Sequence, residues 1–415
     1  YIPLIRVLIN PVVSAINETK DINWEGCLSI PKLQGLVPSF SEIRLTASRL
    51  DGSNVELILD GWHARVIQHE CDHLDGILYP MRMRNLSLFG FNDEPGDIAK
   101  DMVSSLNHLG GTHTEEDFFN QKTIFSDTLI SKYKENFIHQ CPPNGSGVIV
   151  HLMMRLLEKF NWHNIDYFDS QRFHIQAEVT KVCFEIKETM IGDPKFSNFD
   201  FDSLMSENSI NKLFNKISLS EVYNAKQAYV TSHPETVYLT VIDRDLNAVS
   251  FINSICHAFG SGICSENTGV LFQNRGVNFR LEEDHPNCID SNKRPLHTII
   301  PGMLTDKNND ALMSYGVMGG QYQPIGQAQV LQNIFEFGMS IQEAIDFKRV
   351  FALDGKLMIE KSFSESLIKK LSNLGHEIQI VEDAIGGGQG IFIDRKDGVL
   401  IGGSDSRKDG LAIGY

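Results

Sequence analysis

Gln68-His69-Glu70-Cys71-Asp72-His73-Leu74-Asp75-Gly76 carries two histidines four residues apart with a glutamate between them. On a helix, residues i and i+4 share a face, so the two imidazoles project together and Glu70 stands beside them. That is the donor set of a catalytic metal site: two nitrogen ligands and a carboxylate able to move a proton. The flanking residues predict a helix over 62–74, with Val66, Ile67 and Leu74 giving it an apolar side. Upstream, β-rich runs at 42–47 and 54–59 flank the turn Asp51-Gly52 and read as a hairpin, and 5–9 reads as a further strand. Glu25-Gly26-Cys27-Leu28-Ser29 sets Cys27 42 residues before His69. A thiolate and two imidazoles make three protein ligands and leave a fourth tetrahedral position for water. Cys71 faces elsewhere on the helix and reads as a small core thiol.

The metal motif occupies only the first fifth of a 415-residue chain, which is too long for one ordinary core, so two or more domains are expected. The net charge is −16, with 12 acidic and 8 basic residues up to Glu94 and 41 and 29 beyond it. Acidity spread over both parts argues against a nucleic-acid-binding face and for small or peptide-like substrates. No run of 18 apolar residues occurs, so no membrane span is expected. The opening residues show neither a basic leader nor a small-residue cleavage site, and no initiator Met, so the true start reads as missing. Seven dispersed cysteines read as reduced thiols, which places the chain in the cytoplasm.

Residues 92–97 are dense in turn formers and mark a boundary. From 98 to 226 the pattern is mostly helical, with polar loops around 141–147 and 192–198. From Thr236 it becomes strand-rich, with strands at 237–242, 248–253 and 269–272. Helices are expected at 327–337, 341–348 and 364–374, and strands at 378–381 and 390–393. Gly386-Gly387-Gly388-Gln389-Gly390 has no following Lys-Ser or Lys-Thr and opens no helix, so it reads as a flexible turn and not a phosphate loop. His108, His113, His139, His151, His163 and His174 show no ligand-like spacing with a cysteine and read as surface or core histidines.

EGCLS followed by QHECDHLDG resembles the second and third motifs of peptide deformylases, which remove the formyl group from N-terminal formyl-methionine. The resemblance covers about residues 1–91. It implies one divalent ion, Fe²⁺ or Zn²⁺, on Cys27, His69 and His73, with Glu70 as general acid/base. It also implies an oxyanion contact from the backbone N–H of Leu28. The family's first, glycine-rich motif and its glutamine are absent, a loss expected to cost roughly 10² to 10³ in rate.

Thr236 opens the strand at 237–242, and alone it is only a β-branched residue in a strand. Residues Thr236 to Asp243, Asn247-Ala248-Val249 and Phe259-Gly260-Ser261-Gly262 are similar to the small subunit of γ-glutamyltranspeptidases. So are Lys293-Arg294-Pro295, Gly319-Gly320 and the ending from Ser404-Asp405 to Gly414-Tyr415. Gly96-Asp97-Ile98-Ala99, Pro142 to Gly147 and Gly192-Asp193-Pro194 resemble the end of the large subunit. The resemblance implies a four-layered αββα N-terminal-nucleophile hydrolase. In such enzymes Thr236 would cleave the bond after Glu235, then use its own freed amine as base, with no cofactor. It further implies an oxyanion hole at Gly319 and Gly320 and a supporting hydroxyl at Ser254. Asn274 matches a substrate-binding position. Cys256, Arg275 and Asn278 replace the family's Asn, Gln and Asp, and His297 and Thr298 replace its paired serines. Losing an acid and gaining Arg275 argues against tight binding of an α-ammonium group. The large subunit's N-terminal part is absent.

The expected fold is therefore α+β: a partial deformylase fold over 1–94, the helical end of a large subunit over 95–235, and a small subunit over 236–415, the last two forming an incomplete αββα fold. The expected substrates are formyl-methionyl peptides and γ-glutamyl or related amides. The alternatives are an inactive fusion product that retains the motifs, or a metal-binding module alone.

Overall fold

The computed structural model describes residues 7–84, 89–91, 95–121, 123–225 and 236–414. The chain divides into two compact units: residues 1–124 with 264–270, and 125–263 with 271–415.

In the first unit the strands are β1 (Ile9–Ala15), β2 (Lys20–Cys27), β3 (Ile30–Phe40), β4 (Glu42–Ser48), β5 (Asn54–Asp60) and β6 (Phe89–Phe91). The helices are α1 (Gly61–Leu74), α2 (Pro95–His108) and α3 (Glu115–Phe119). Two three-stranded antiparallel sheets form, ordered β1-β4-β5 and β2-β3-β6. The β4–β5 hairpin alternates buried and outward residues, the pattern of a sheet with one covered face. Sequence patterning overlooks β2 and β3 because Pro31, Pro38 and the polar run of β2 mask their pairing. Of the strand expected at 5–9, residues 5 and 6 lie outside the described residues, as do 92–94 of the expected boundary. Asp101 of α2 accepts from the N–H groups of Asn267 and Thr268 and from both their side chains, which ties segment 264–270 to this unit.

The second unit contains β7 (Leu129–Tyr133), β8 (Asn136–Gln140), α4 (Gly147–Leu157), α5 (Ser170–Met190), α6 (Phe201–Met205) and α7 (Glu207–Phe214). It continues with β9 (Val237–Ile242), β10 (Ala248–Asn253), β11 (Gly302–Thr305), β12 (Ala311–Met318), α8 (Gln323–Phe335) and α9 (Ile341–Asp346). β13 (Val350–Leu353), β14 (Lys356–Glu360), α10 (Glu365–Asn373), β15 (Glu377–Val381), β16 (Gly387–Asp394) and β17 (Val399–Ser404) complete it. A six-stranded antiparallel sheet, β17-β16-β12-β11-β8-β7, is its centre. Val148, Leu152, Val179, Met313, Tyr315 and Leu331 belong to one core, which joins that sheet to α4, α5 and α8. On the sheet's other face the β9–β10 hairpin packs closely. Thr240 donates to Ser314 at 2.6 Å, and a Cβ on Gly316 would fall 2.4 Å from the Tyr238 ring. β12 is thus covered on both faces and reads as an almost unbroken buried run. The hairpin's outward side chains, among them Leu239, Val249 and Phe251, remain exposed.

Three expectations change. The helical stretch 98–226 contains the β7–β8 hairpin, which is short and follows polar sequence. Residues 269–272 form no strand: Gly269 has φ +69 and lies in a loop closed by hydrogen bonds between Ser265 and Val270. Gly387–Gly390 is not a flexible turn but the start of β16, paired with β12 from Gly387↔Met318 to Gly390↔Tyr315. Crowding favours glycine there, since a Cβ on Gly390 would press on Ile341 Cδ1 at 2.9 Å and on the Ser314 carbonyl at 3.3 Å.

Candidate functional site

The metal motif is assembled by one hairpin and one helix. The β2–β3 register shifts between Gly26 and Cys27, a bulge that re-aims the cysteine at the end of the strand. α1 then brings His69 and His73 over it. Cys27 Sγ lies 3.1 Å from His73 Nε2, and one ligand atom from each of Cys27, His69 and His73 falls within 4.8 Å of the others. The His69 and His73 rings meet edge to face at 4.8 Å, and buried Tyr79 stacks on His69. A cavity of about 360 Å³ opens onto the cluster, with Cys27, Leu28, His69, Glu70 and His73 in its wall. Leu28 is 99% exposed in the turn joining β2 to β3.

Two further groups hold this geometry: Glu25, which opens the EGCLS stretch, and Arg65, which lies outside both motifs. Glu25 accepts through Oε2 from His69 Nδ1 at 3.0 Å, and through Oε1 from Arg65 Nη1 at 2.7 Å and Ser39 Oγ at 2.9 Å. Arg65 is only 3% exposed and also donates to the carbonyls of Asp21 (2.7 Å) and Val37 (2.9 Å). One buried guanidinium therefore ties the ligand helix to both strands of the cysteine hairpin. Gln68 repeats the tie at β3, exchanging hydrogen bonds with the backbone of Phe40 at 2.9 and 3.0 Å. Only the i+3/i+4 pattern of α1 hints at Arg65, and two-residue alternation with Cys27 hints at Glu25.

Charge follows position. Burial opposes ionisation of Cys27, but the Ser29 N–H at 3.3 Å, with His69 and His73, draws its pKa down from 9.0 to about 7. For His69, burial favours the neutral ring, yet Glu25 and then Cys27 hold its pKa above the ordinary value. Burial raises Cys71, with Asp75, Asp72 and Glu70 adding to the effect, and the thiol takes no part in the cluster. The donor set of one soft thiolate and two imidazoles fits Fe²⁺ or Zn²⁺, and Glu25 behind His69 is the carboxylate partner that metal-bound histidines commonly have.

In the second unit Thr236 stands at the head of β9, 7% exposed. Gln323 Nε2 donates to its hydroxyl at 3.4 Å. Gln323 is the first residue of α8, which follows Gly319 (φ +127) and Gly320 (φ +56), a turn open only to glycine. A Cβ on Gly319 would also lie 2.8 Å from Gly386 Cα. The antiparallel register ends with Val237 paired to Asn253, so Thr236 and Ser254 adjoin the last pair of the hairpin. The Ser254 hydroxyl accepts from Cys256 N–H at 2.9 Å, and its carbonyl accepts from Arg275 at 2.5 Å.

Asn274 accepts from His257 N–H at 3.1 Å, and Asn278 reaches Cys256 Sγ at 3.9 Å. Ser254, Cys256, Asn274, Arg275 and Asn278 thus form one cluster. His297 and Thr298 belong to a different strip, in which the His297 backbone pairs with Asn144 and Ser146. Burial, then Arg275 and Arg294, pushes the His297 imidazole down to about 4. Two motifs remote in sequence meet nearby: the Arg294 backbone and guanidinium clasp the Asp193 carboxylate at 2.9 to 3.2 Å. Gln323 escaped sequence reasoning because a glutamine opening a helix carries no signal. His233, Pro234 and Glu235 lie outside the described residues.

A helix-backed sheet overlaid by a second strand layer makes this unit a layered, mixed α/β fold of the kind found in N-terminal-nucleophile hydrolases. The chain belongs to the γ-glutamyltranspeptidase family, whose family model matches residues 89–415, and residues 2–88 match the polypeptide deformylase family. It is a fusion of the two. Over 328 residues it is 32% identical to the glutathione hydrolase-like YwrD proenzyme of Bacillus subtilis (77% of this chain, 62% of that protein). Over 97 residues it is 48% identical to peptide deformylase 1 of Nitrosomonas europaea (23% of this chain, 55% of that protein). Among solved structures, cephalosporin acylase from Bacillus halodurans superposes with TM-score 0.71 at 30% identity, covering 84% of this chain and 63% of that one. The chain therefore spans a little over half to three-fifths of the length of these relatives. Among the described residues no helix is long and apolar enough to cross a membrane.

Proposed function

We propose that the chain carries two amide-cleaving sites. The first lies in residues 1–94, a partial deformylase fold. The second spans 95–235 and 236–415, the end of a large subunit and a small subunit of an incomplete αββα fold. For the first site, the observation that carries the proposal is the convergence of Cys27, His69 and His73 on one point of a cavity whose wall also holds Glu70. A divalent Fe²⁺ or Zn²⁺ held by those three residues would supply Lewis acidity and an acidified water. Glu70 takes the proton from the attacking nucleophile and passes it to the leaving amine. Glu25 fixes the tautomer and plane of His69, and the backbone N–H of Leu28 faces the developing oxyanion. The substrate is a formyl-methionyl peptide. Hydrolysis of a formyl-Met peptide by the metal-loaded protein, lost in Glu70→Ala, tests this; equal metal content in wild type, Cys27→Ala and His73→Ala would remove the ligand assignment.

For the second site, support comes from the buried Thr236 hydroxyl held by Gln323, the residue that opens α8 after the Gly319–Gly320 turn, with Ser254 next to the last pair of the β9–β10 hairpin. Thr236 attacks the Glu235 carbonyl, the chain breaks, and the freed amine then serves as base for acyl transfer from a γ-glutamyl or related amide. Gly319 and Gly320 N–H groups stabilise the oxyanion, and Ser254 supports the nucleophile. Arg275, with Asn274, Asn278 and Cys256, selects an acyl group without an α-ammonium, and His297 and Thr298 support the site from their own strip. Denaturing electrophoresis decides: wild type yields fragments of 235 and 180 residues, whereas Thr236→Ala remains one band. An intact wild-type band overturns the assignment.

A further inference from the structure

α5 presents His174 and Glu178 one turn apart, and both are fully buried. His376 reaches them from elsewhere in the chain. Beyond α10, Gly375 at φ +102 reverses the backbone, His376 N–H caps Leu371 O, and the buried His376 ring turns inward before β15. His174 Nδ1 and His376 Nε2 lie 2.8 Å apart, and one ligand atom from each of His174, Glu178 and His376 falls within 4.8 Å of the others.

The supporting contacts match what a metal centre needs. His174 Nε2 meets the Ser218 carbonyl at 2.9 Å, which fixes the tautomer that leaves Nδ1 for an ion. Glu178 Oε2 is held by the Tyr223 N–H at 2.6 Å. A cavity of about 230 Å³, with His376, Lys181 and Tyr223 in its wall, supplies an access route. Lys181 ion-pairs with Glu178 and donates to the Tyr223 carbonyl at 3.1 Å. Its side chain is 15% exposed, so the ammonium can withdraw along the cavity when a cation replaces it.

We propose that His174, Glu178 and His376 form a second metal site, for a divalent transition ion such as Zn²⁺, that pins α5 to the turn between α10 and β15. Two imidazoles and one carboxylate favour Zn²⁺, Co²⁺ or Ni²⁺ over Mg²⁺ or Ca²⁺. On binding, His376 moves its proton from Nε2 to Nδ1 through solvent, so both imidazoles ligate as neutral rings and no net proton is lost. The two nitrogens then move apart to about 3.3 Å, the tetrahedral separation for metal–nitrogen bonds near 2.0 Å.

The test uses the full-length chain carrying Cys27→Ser and His73→Ala, which removes the first cluster. After dialysis against Zn²⁺ and then buffer, this variant is expected to retain one equivalent of zinc and to melt higher with zinc than after chelation. Adding His376→Gln should abolish both effects. Failure of the double variant to retain zinc overturns the proposal, as does unchanged zinc in the triple variant. If His376→Gln fails to fold, as judged by circular dichroism, cobalt in the double variant decides. Visible d–d bands without a thiolate-to-cobalt band in the near ultraviolet support a nitrogen and oxygen site. A thiolate band, or no d–d bands, overturns it.

Discussion

Cys27 illustrates how the charge of a single side chain is set by the neighbours its two motifs fold around it. Its thiol is drawn to about 7 although burial pushes the other way, because an N–H and two imidazoles favour the thiolate. The acid form loses its proton above that value, so alkylation of Cys27 in the metal-free protein should rise through a midpoint near pH 7. A midpoint near the ordinary 9.0, followed by peptide mass spectrometry, would show that the imidazoles do not act on it. Glu25 works through His69 and Arg65 together. Glu25→Ala should weaken metal binding by about 10- to 100-fold, the usual consequence of losing a carboxylate behind a ligating histidine. It should also cost the first unit roughly 3 kcal/mol, because the buried Arg65 guanidinium loses its buried carboxylate partner and keeps only the exposed Asp21. Titration with a competing chelator and urea unfolding measure the two effects separately; Glu25→Gln should retain more of each.

At the scale of elements, the contact between β9 and β12 decides whether Thr236 is held in place. Gly316 has the Tyr238 ring where a side chain would stand, and Tyr238 in turn donates to or accepts from Ser250 at 2.8 Å across the hairpin. Gly316→Val should lift the hairpin off the sheet, at a cost of about 1 to 3 kcal/mol from overpacking. It should also slow the appearance of the 235- and 180-residue fragments. A variant with wild-type urea midpoint and wild-type cleavage would show that the two layers are not closely coupled. The same logic explains β16: its glycines look like a loop in sequence, yet they allow α9 to lie against the strand.

Across the second unit, stability depends on buried imidazoles that stay neutral. Burial and then His139 hold His151 at about 3, and burial with Arg275 and Arg294 holds His297 at about 4, against an ordinary value of 6.5. Unfolded histidines take up protons below 6.5 and these two do not, so the native state is fully favoured above 6.5. That advantage should be lost progressively as the pH falls from 6.5 towards 4. Urea midpoints of the second unit should therefore decline across this interval and fall less in His297→Gln; a flat profile would be inconsistent with it. By itself the sequence determined the donor set, because HExxH needs only helical periodicity to align His69 and His73, and Cys27 could be paired with them through its motif. It also marked Thr236, Ser254 and the Gly319–Gly320 turn. Tertiary structure alone decided what surrounds them. Glu25 and Arg65 join Cys27 to α1 across tens of residues, Gln323 reaches Thr236 from the start of α8, and His376 meets His174 over 202 positions. The glycines of β16 also became a strand only there. The physical reason is that periodicity records which face a residue occupies on its own element, whereas hydrogen bonds, close approach and burial depend on which other element covers that face.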